Sequence, residues 1–338
     1  MFRPRRPAPI APRLATLCLP LALAACQPGG QAAAPSPQQV AKAFVAEVVL
    51  PQQQQLVQGS ERLAVALAAL AENPDAERME AARLAWQEAR TTWETGEAWA
   101  FGPAETGGFD GNLDDWPVNE RDLNRALTAG SITPELFSRL TTTAKGFHGI
   151  EAVLFGTEGQ NPAVPALTGP QRAYLRLAGA DLVENARGLL AAWEAPQGFG
   201  ATVSGQPEEA VAEILQGMVG TLEEVAGEKL GAPIQSGSPR DLESFYSGTT
   251  RADIVANLAG VHEALQRSGL LDLIRSRDAR LASALDRSLT EAQAHARALP
   301  VHLENHLQQQ AVQERVQTVI ADSERSAALL QQASALLS

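Results

Sequence analysis

Gly146-Phe147-His148-Gly149-Ile150-Glu151-Ala152-Val153-Leu154-Phe155-Gly156 is the stretch from which this chain is best read. Phe147, Ile150, Val153, Leu154 and Phe155 are too apolar for a solvated helix, so the segment reads as a buried one. Positions i and i+3 share a helix face, which points His148 and Glu151 the same way. An imidazole beside a carboxylate shares a proton or binds a metal ion. Burying either group without a partner is costly. At this point a core histidine held by a neighbouring carboxylate accounts for the pair as well as a site does.

Working outward, nearly every ordered stretch has helical periodicity. Val40, Phe44, Val45 and Val48 recur at helical spacing, and Leu56, Leu63, Leu67 and Leu70 continue it, with Pro51 set to kink or divide the helix. A helix from Asn73-Pro74 carries Trp86 and Trp93 to about Phe101. Residues 102–118 and 229–248, rich in Gly, Pro, Ser and Asp, read as long loops. Between and beyond them helices are expected over 119–128, 134–155, 170–195, 206–228, 249–268, 275–299 and 302–337. No alternating strand pattern occurs. The expectation is an all-α protein of two helical-bundle domains, residues 38–165 and 166–338, each with about four helices.

The first 25 residues read as a leader. Arg3, Arg5, Arg6 and Arg13 precede an apolar run, Leu14 to Ala22, that is short for a membrane span. Leu23-Ala24-Ala25-Cys26 resembles the lipobox of bacterial lipoproteins, in which the cysteine becomes the acylated first residue. Gln27 after it resembles outer-membrane sorting. The expected setting is therefore the cell envelope, with a lipid anchor on Cys26 facing the periplasm and a flexible tether over 26–37. Cys18 falls inside the leader and Cys26 carries lipid, so the mature chain has no free thiol. Disulfides, thiolate metal sites and cysteine nucleophiles are thereby excluded. Losing the leader removes four arginines and no acid, which takes the formal net charge from −12 to −16. Such an acidic body is a poor nucleic-acid binder and is compatible with cations.

At GFHGIEAVLFG the chain resembles the imelysin-like proteins, whose signature is G-x-H-x-x-E. Arg90-Thr91-Thr92-Trp93-Glu94, Phe101-Gly102-Pro103 and Leu113-Asp114-Asp115-Trp116-Pro117 are similar to the first half of that family. Gly227-Glu228-Lys229-Leu230, Glu243-Ser244-Phe245-Tyr246-Ser247, Asn257 and Gly260 are similar to its second half. The resemblance implies two bundle-like domains with a site between them, and an extracytoplasmic protein associated with iron uptake. It marks Gly146, His148 and Glu151 as signature positions, with Arg90, Trp93, Glu94, Asp115, Trp116, Glu243 and Ser247 as neighbours. The family name also carries a proposed peptidase activity.

The residues themselves favour binding over hydrolysis. A zinc-peptidase helix places H-E-x-x-H on one face, whereas here Gly149 follows His148 and Ala152 stands where the second histidine belongs. No G-x-S-x-G elbow accompanies the serines. Imidazole and carboxylate suit iron, and bundle sites draw Glu and His from facing helices. His148 and Glu151 are expected as two ligands, with Glu94 and Glu97, again i and i+3, as one or two more. Asp114 and Asp115 read as a cap or turn. The first reading is thus a binder of iron or an iron-containing ligand, bare ion, haem or chelate, working with an envelope iron-transport component. A metallopeptidase-like hydrolase of the envelope and a scaffold whose His–Glu pair locks the interior are the alternatives.

Overall fold

Ser36 begins the first helix because its hydroxyl accepts from the Gln39 amide while the Gln39 side chain accepts from the Ser36 amide. From there α1 (Pro37–Ala43) passes through a π-helical turn, Phe44–Val49, into α2 (Leu50–Glu72). The Leu50 amide bonds five residues back to Val45 O, and Pro51 falls in the first turn of α2. The wider turn absorbs the proline, so the path continues undivided. Asp75 caps α3 (Ala76–Gly96), which returns along α2.

The loop expected over 102–118 is mostly short helices, α4 (Pro103–Thr106) and α5 (Phe109–Asp114), followed by α6 (Glu120–Thr128). The single helix expected over 134–155 is broken into α7 (Pro134–Ser138), a 3-10 turn Thr142–Ala144, and α8 (Gly146–Phe155). Gly146 imposes the break. Its φ is +57°, and a Cβ there would strike the Leu113 carbonyl, so only glycine lets α8 start against the end of α5.

Beyond it lie α9 (Gly169–Glu194), α10 (Phe199–Gly205) and α11 (Pro207–Glu224). The loop expected over 229–248 is partly helical too. A second π-helical turn, Val225–Gly231, leads into α12 (Ala232–Ser236). The remaining helices are α13 (Thr250–Arg267), α14 (Leu270–Arg277), α15 (Ala279–Arg297) and α16 (Gln310–Leu337). The last begins eight residues later than expected, and His302 and His306 flank a 3-10 turn, Leu303–Asn305, ahead of it.

The computed structural model describes residues 34–157, 167–194 and 196–338, and no strand occurs among them. The leader, Cys26 and most of the tether lie outside the described residues. The described chain from Ala34 onward packs as one compact unit. Helix α9 lies along α2, while the domain boundary expected at 165/166 lies outside the described residues. A second group consists of α11, α13, α15 and α16, and α13 crosses α3 where Gly260 meets the Thr95 backbone. A Cβ at 260 would strike Thr95 O. The two groups therefore touch backbone to backbone beside the residues described next.

Candidate functional site

Helix α8 is held from both ends. Arg83 on α3 donates to Leu154 O, one of the last carbonyls of α8, through Nε at 3.0 Å and Nη2 at 2.8 Å. One turn on, Trp86 Nε1 donates to Phe147 O at 2.9 Å. The Tyr174 hydroxyl from α9 donates to Ala144 O at 2.9 Å, just before the helix. Every residue of α8 is buried, His148 and Glu151 completely.

His148 and Glu151 do share a face, but the outcome is a bond between them. His148 Nδ1 lies 3.0 Å from Glu151 Oε2. The other Glu151 oxygen accepts from the Ser247 amide at 2.8 Å and from its hydroxyl at 2.7 Å. Glu151 thus stands behind the imidazole and fixes its orientation. On the opposite side, His148 Nε2 is 3.3 Å from Asp114 Oδ1 and 3.7 Å from Glu243 Oε1, and it makes no well-formed hydrogen bond.

Asp114 and Glu243 also belong to a wider ionic group. Arg90, buried on α3, pairs with Asp114, with Glu94 and, at 2.8 Å, with Glu243. Trp93 Nε1 donates to Asp114 Oδ2 at 2.6 Å. Lys229 enters from the π-helical turn, and its Nζ lies 2.9 Å from each of Glu94, Glu97 and Glu243. Asn257 on α13 adds donors to Glu94 and Glu97. Glu94 and Glu97 are therefore drawn together as expected, but around Lys229 and not around His148.

The charges tune one another. Burial lowers the Arg90 pKa, yet Asp114, Glu94 and Glu243 outweigh it and hold the guanidinium charged. Burial likewise opposes the Lys229 ammonium, and Glu243, Glu94 and Glu97 hold it protonated. For His148, burial and Arg90 push downward, while the carboxylates of Asp114, Glu151 and Glu243 raise the pKa well above the ordinary value. Burial favours protonated Glu243, but Lys229 and Arg90 reverse this and keep it ionised. Glu97 and Asp253 move the other way, pushed well up by burial and by Glu94.

Among the described residues, two groups of side chains bring ligand atoms within 4.8 Å of one another. One is Asp114, His148 and Glu243; the other is Glu94, Glu97, Asp114 and Glu243. The expected ligand set of His148, Glu151, Glu94 and Glu97 is therefore rearranged. Glu151 supports the histidine from behind, and Asp114 and Glu243 face it. Of the expected neighbours, Arg90, Trp93, Glu243 and Ser247 take part directly, and Gly146 shapes the start of α8. Asp115 turns away to accept from the Thr142 hydroxyl. Trp116 stands on the wall of an adjoining cavity of about 620 Å³. Asp114, Glu243, Glu97 and Lys229 form the inner wall of that cavity, and Glu105, Asp110, Glu213, Glu224 and Glu228 extend it outward. Asp114 was expected only as a cap or turn, while Lys229 and Asn257 lay in segments of resemblance without a role. Away from this site, His262 is fixed by Asp286 and Gln293, and His295 pairs with Asp322.

Helices alone, with a G-x-H-x-x-E helix sunk against acids from distant elements, define an all-α protein with a buried ionic centre. The profile of the imelysin family matches residues 49–334, and the chain belongs to that family. It is 34% identical over 298 residues to iron-regulated protein A of Synechococcus elongatus, covering 82% of this chain and 80% of the relative. Its fold is similar to the crystal structure of a protein described as an iron-regulated protein A precursor from Parabacteroides distasonis. The TM-score there is 0.81 at 19% identity, over 92% of this chain and 97% of the other. An imelysin-like protein from Psychrobacter arcticum is also similar, with a TM-score of 0.71 at 17% identity, over 85% and 94% of the two chains.

Proposed function

We propose that this chain is an iron-binding lipoprotein of the cell envelope that takes part in iron acquisition, with iron as cargo held by Asp114, His148 and Glu243. The observation that carries the reading is the convergence of one imidazole nitrogen and two carboxylates on a point behind an acidic cavity. Nitrogen and oxygen donors of this kind suit iron. Glu151 and Ser247 supply the outer support that a metal-binding histidine needs. The name of the Synechococcus relative agrees with an iron-related role. The lipobox at Cys26 and the Gln27 that follows support a lipid anchor in the outer membrane, facing the periplasm. An envelope iron-transport component is the partner this role requires.

A second reading has its own observation. Arg90 and Lys229 already neutralise the same carboxylates, as they would in a charge-balanced lock between the two helix groups. Hydrolysis has less support, because Glu151 is committed to His148 and Ser247 and no H-E-x-x-H helix exists.

Anaerobic titration of the purified, untagged protein with Fe(II), with metal content checked by elemental analysis, separates the readings. The expected result is one iron per chain, abolished by His148→Ala and by Asp114→Asn. Glu151→Gln is expected to weaken binding by about 10–100-fold, as removal of an outer-shell partner does. Iron affinity that is absent, or unchanged by His148→Ala, refutes the proposal. Destabilisation by that substitution without any iron effect selects the lock.

A further inference from the structure

The cavity in front of Asp114 and Glu243 is far larger than an ion requires. At about 620 Å³ it lies within the range of about 300–1,000 Å³ typical of small-molecule sites. A bare cation with oxygen ligands at about 2.0–2.6 Å occupies only a small part of that space. The lining is strongly asymmetric in charge. Eight carboxylate side chains, besides Asp115 at the edge, line it with one cation, Lys229, which is already tied to Glu94, Glu97 and Glu243. Glu105, Asp110, Glu213 and Glu228 on the outer wall make no ion pair among the described residues.

A second, independent observation lies at the inner end. His148 is fully buried, and its Nε2, without a well-formed hydrogen bond, is directed at the two carboxylates that close the cavity. Charge from the outer wall and the two carboxylates that His148 backs at the inner end thus bear on one space. Phe101 and Trp116 supply aromatic surface on the same walls, which suits a cation with organic or ammine substituents.

We propose that this cavity is the specificity element of the site, admitting a cationic metal complex whole and rejecting anionic chelates. The inference rests on the iron-binding reading and refines it by naming the charge and size class of the guest. A trication gains attraction from each unpaired carboxylate, whereas citrate-type chelates and haem carry carboxylates of their own into the same field. The inner donors then act on a guest that the outer acids have already concentrated.

Hexaamminecobalt(III) tests the cavity apart from coordination, because its ammine ligands do not exchange on the timescale of a titration. Calorimetric titration of the purified full chain is expected to show saturable, salt-sensitive binding of this trication and none of tris(oxalato)cobaltate(III), a trianion of similar size. Replacing Glu105, Glu213 and Glu228 together by Gln is expected to lower trication affinity about tenfold or more. Replacing the exposed, distant Glu72, Glu209 and Glu324 by Gln makes the same change in net charge and is expected to alter affinity less than twofold. Circular dichroism confirms that both triple variants fold. Equal binding of the trianion, or equal losses in the two triple variants, overturns the proposal. Fe(II) binding that depends on His148, without trication binding, sinks the cavity inference and leaves the iron reading standing. Trication binding without Fe(II) binding does the reverse.

Discussion

Lys229→Met removes the cation on which three buried carboxylates converge and keeps a side chain of similar length. The Lys229 side chain is 2% exposed, and those of Glu94, Glu97 and Glu243 are 0%, 11% and 8% exposed. Breaking a buried ion pair by deleting one partner costs about 3–5 kcal/mol, because the other charge stays buried without compensation. Here the loss strikes three acids, but they have two sources of relief. Arg90 still neutralises Glu94 and Glu243, and Glu97, whose pKa already stands well above its ordinary value, can take up a proton. The expected cost at pH 8 is therefore about 3–5 kcal/mol and not a multiple of it. Urea unfolding followed by circular dichroism measures it. The sign of the pH dependence follows from linkage. Without Lys229 the folded-state pKa of Glu97, already well above its unfolded value through burial and Glu94, rises further. The stability it contributes is then full below the unfolded pKa and is lost as pH climbs through the folded one. The variant should thus lie closer to wild type at pH 5.5 than at pH 8. Adding Glu97→Gln should recover about 0.5–3 kcal/mol in a double-mutant cycle, as for groups in direct contact. A cost below about 1 kcal/mol at pH 8, or one independent of pH, would show that these carboxylates do not depend on Lys229.

Ser247→Ala leaves one oxygen of the buried Glu151 carboxylate without its hydroxyl donor, at an expected cost of about 1–3 kcal/mol in the same unfolding assay. Gly146→Ala places a Cβ at φ +57° against the Leu113 carbonyl. Backbone strain alone makes this about 1–3 kcal/mol, and a lowered thermal midpoint with shifted near-ultraviolet signal from Trp86 is the expected readout. Trication binding should strengthen from pH 5 to pH 8. Burial, then Asp114, Glu105 and Asp115, raise Asp110 to about 6 against the pull of Lys229. Burial raises Glu224 to about 7, with Glu243, Glu94 and Asp114 adding to it and Lys229 opposing. Both are neutral at the low end and ionised at the high end, so calorimetry should also record proton release on binding at pH 6.

The readable parts of this molecule were those in which local pattern and tertiary role coincide. Helical spacing identified α2, α3, α9, α13 and α15, and the apolar company of His148 gave its burial. Glu94, beside Trp93 on α3, is fully buried. Elements shorter than two turns were lost, because α4 and α5 sit among the same Gly, Pro and Asp residues that mark loops. That cost the distinction between two adjacent aspartates. Asp114 closes α5 and meets Arg90, while Asp115, with extended backbone, turns to Thr142. Lys229 escaped for a different reason. It lies in a π-helical turn whose extra residue breaks the 3.6 register, so no helical wheel places it toward the interior.

The H-x-x-E spacing itself says less about ligation than about support. An imidazole has two ring nitrogens on opposite edges, and a carboxylate one turn away on the same helix reaches the nearer of them. Once Glu151 holds Nδ1 at 3.0 Å, Nε2 necessarily faces away from α8, toward whatever other elements present there. Those elements are the end of α5 and the segment after α12, so the acids that meet Nε2 come from 34 residues before His148 and 95 residues after it. Such donors leave no mark on the spacing of the motif. A helix carrying this pattern is therefore best searched for its partners among acids distant in sequence, and the acid of the motif itself is best counted as the support that aims its histidine.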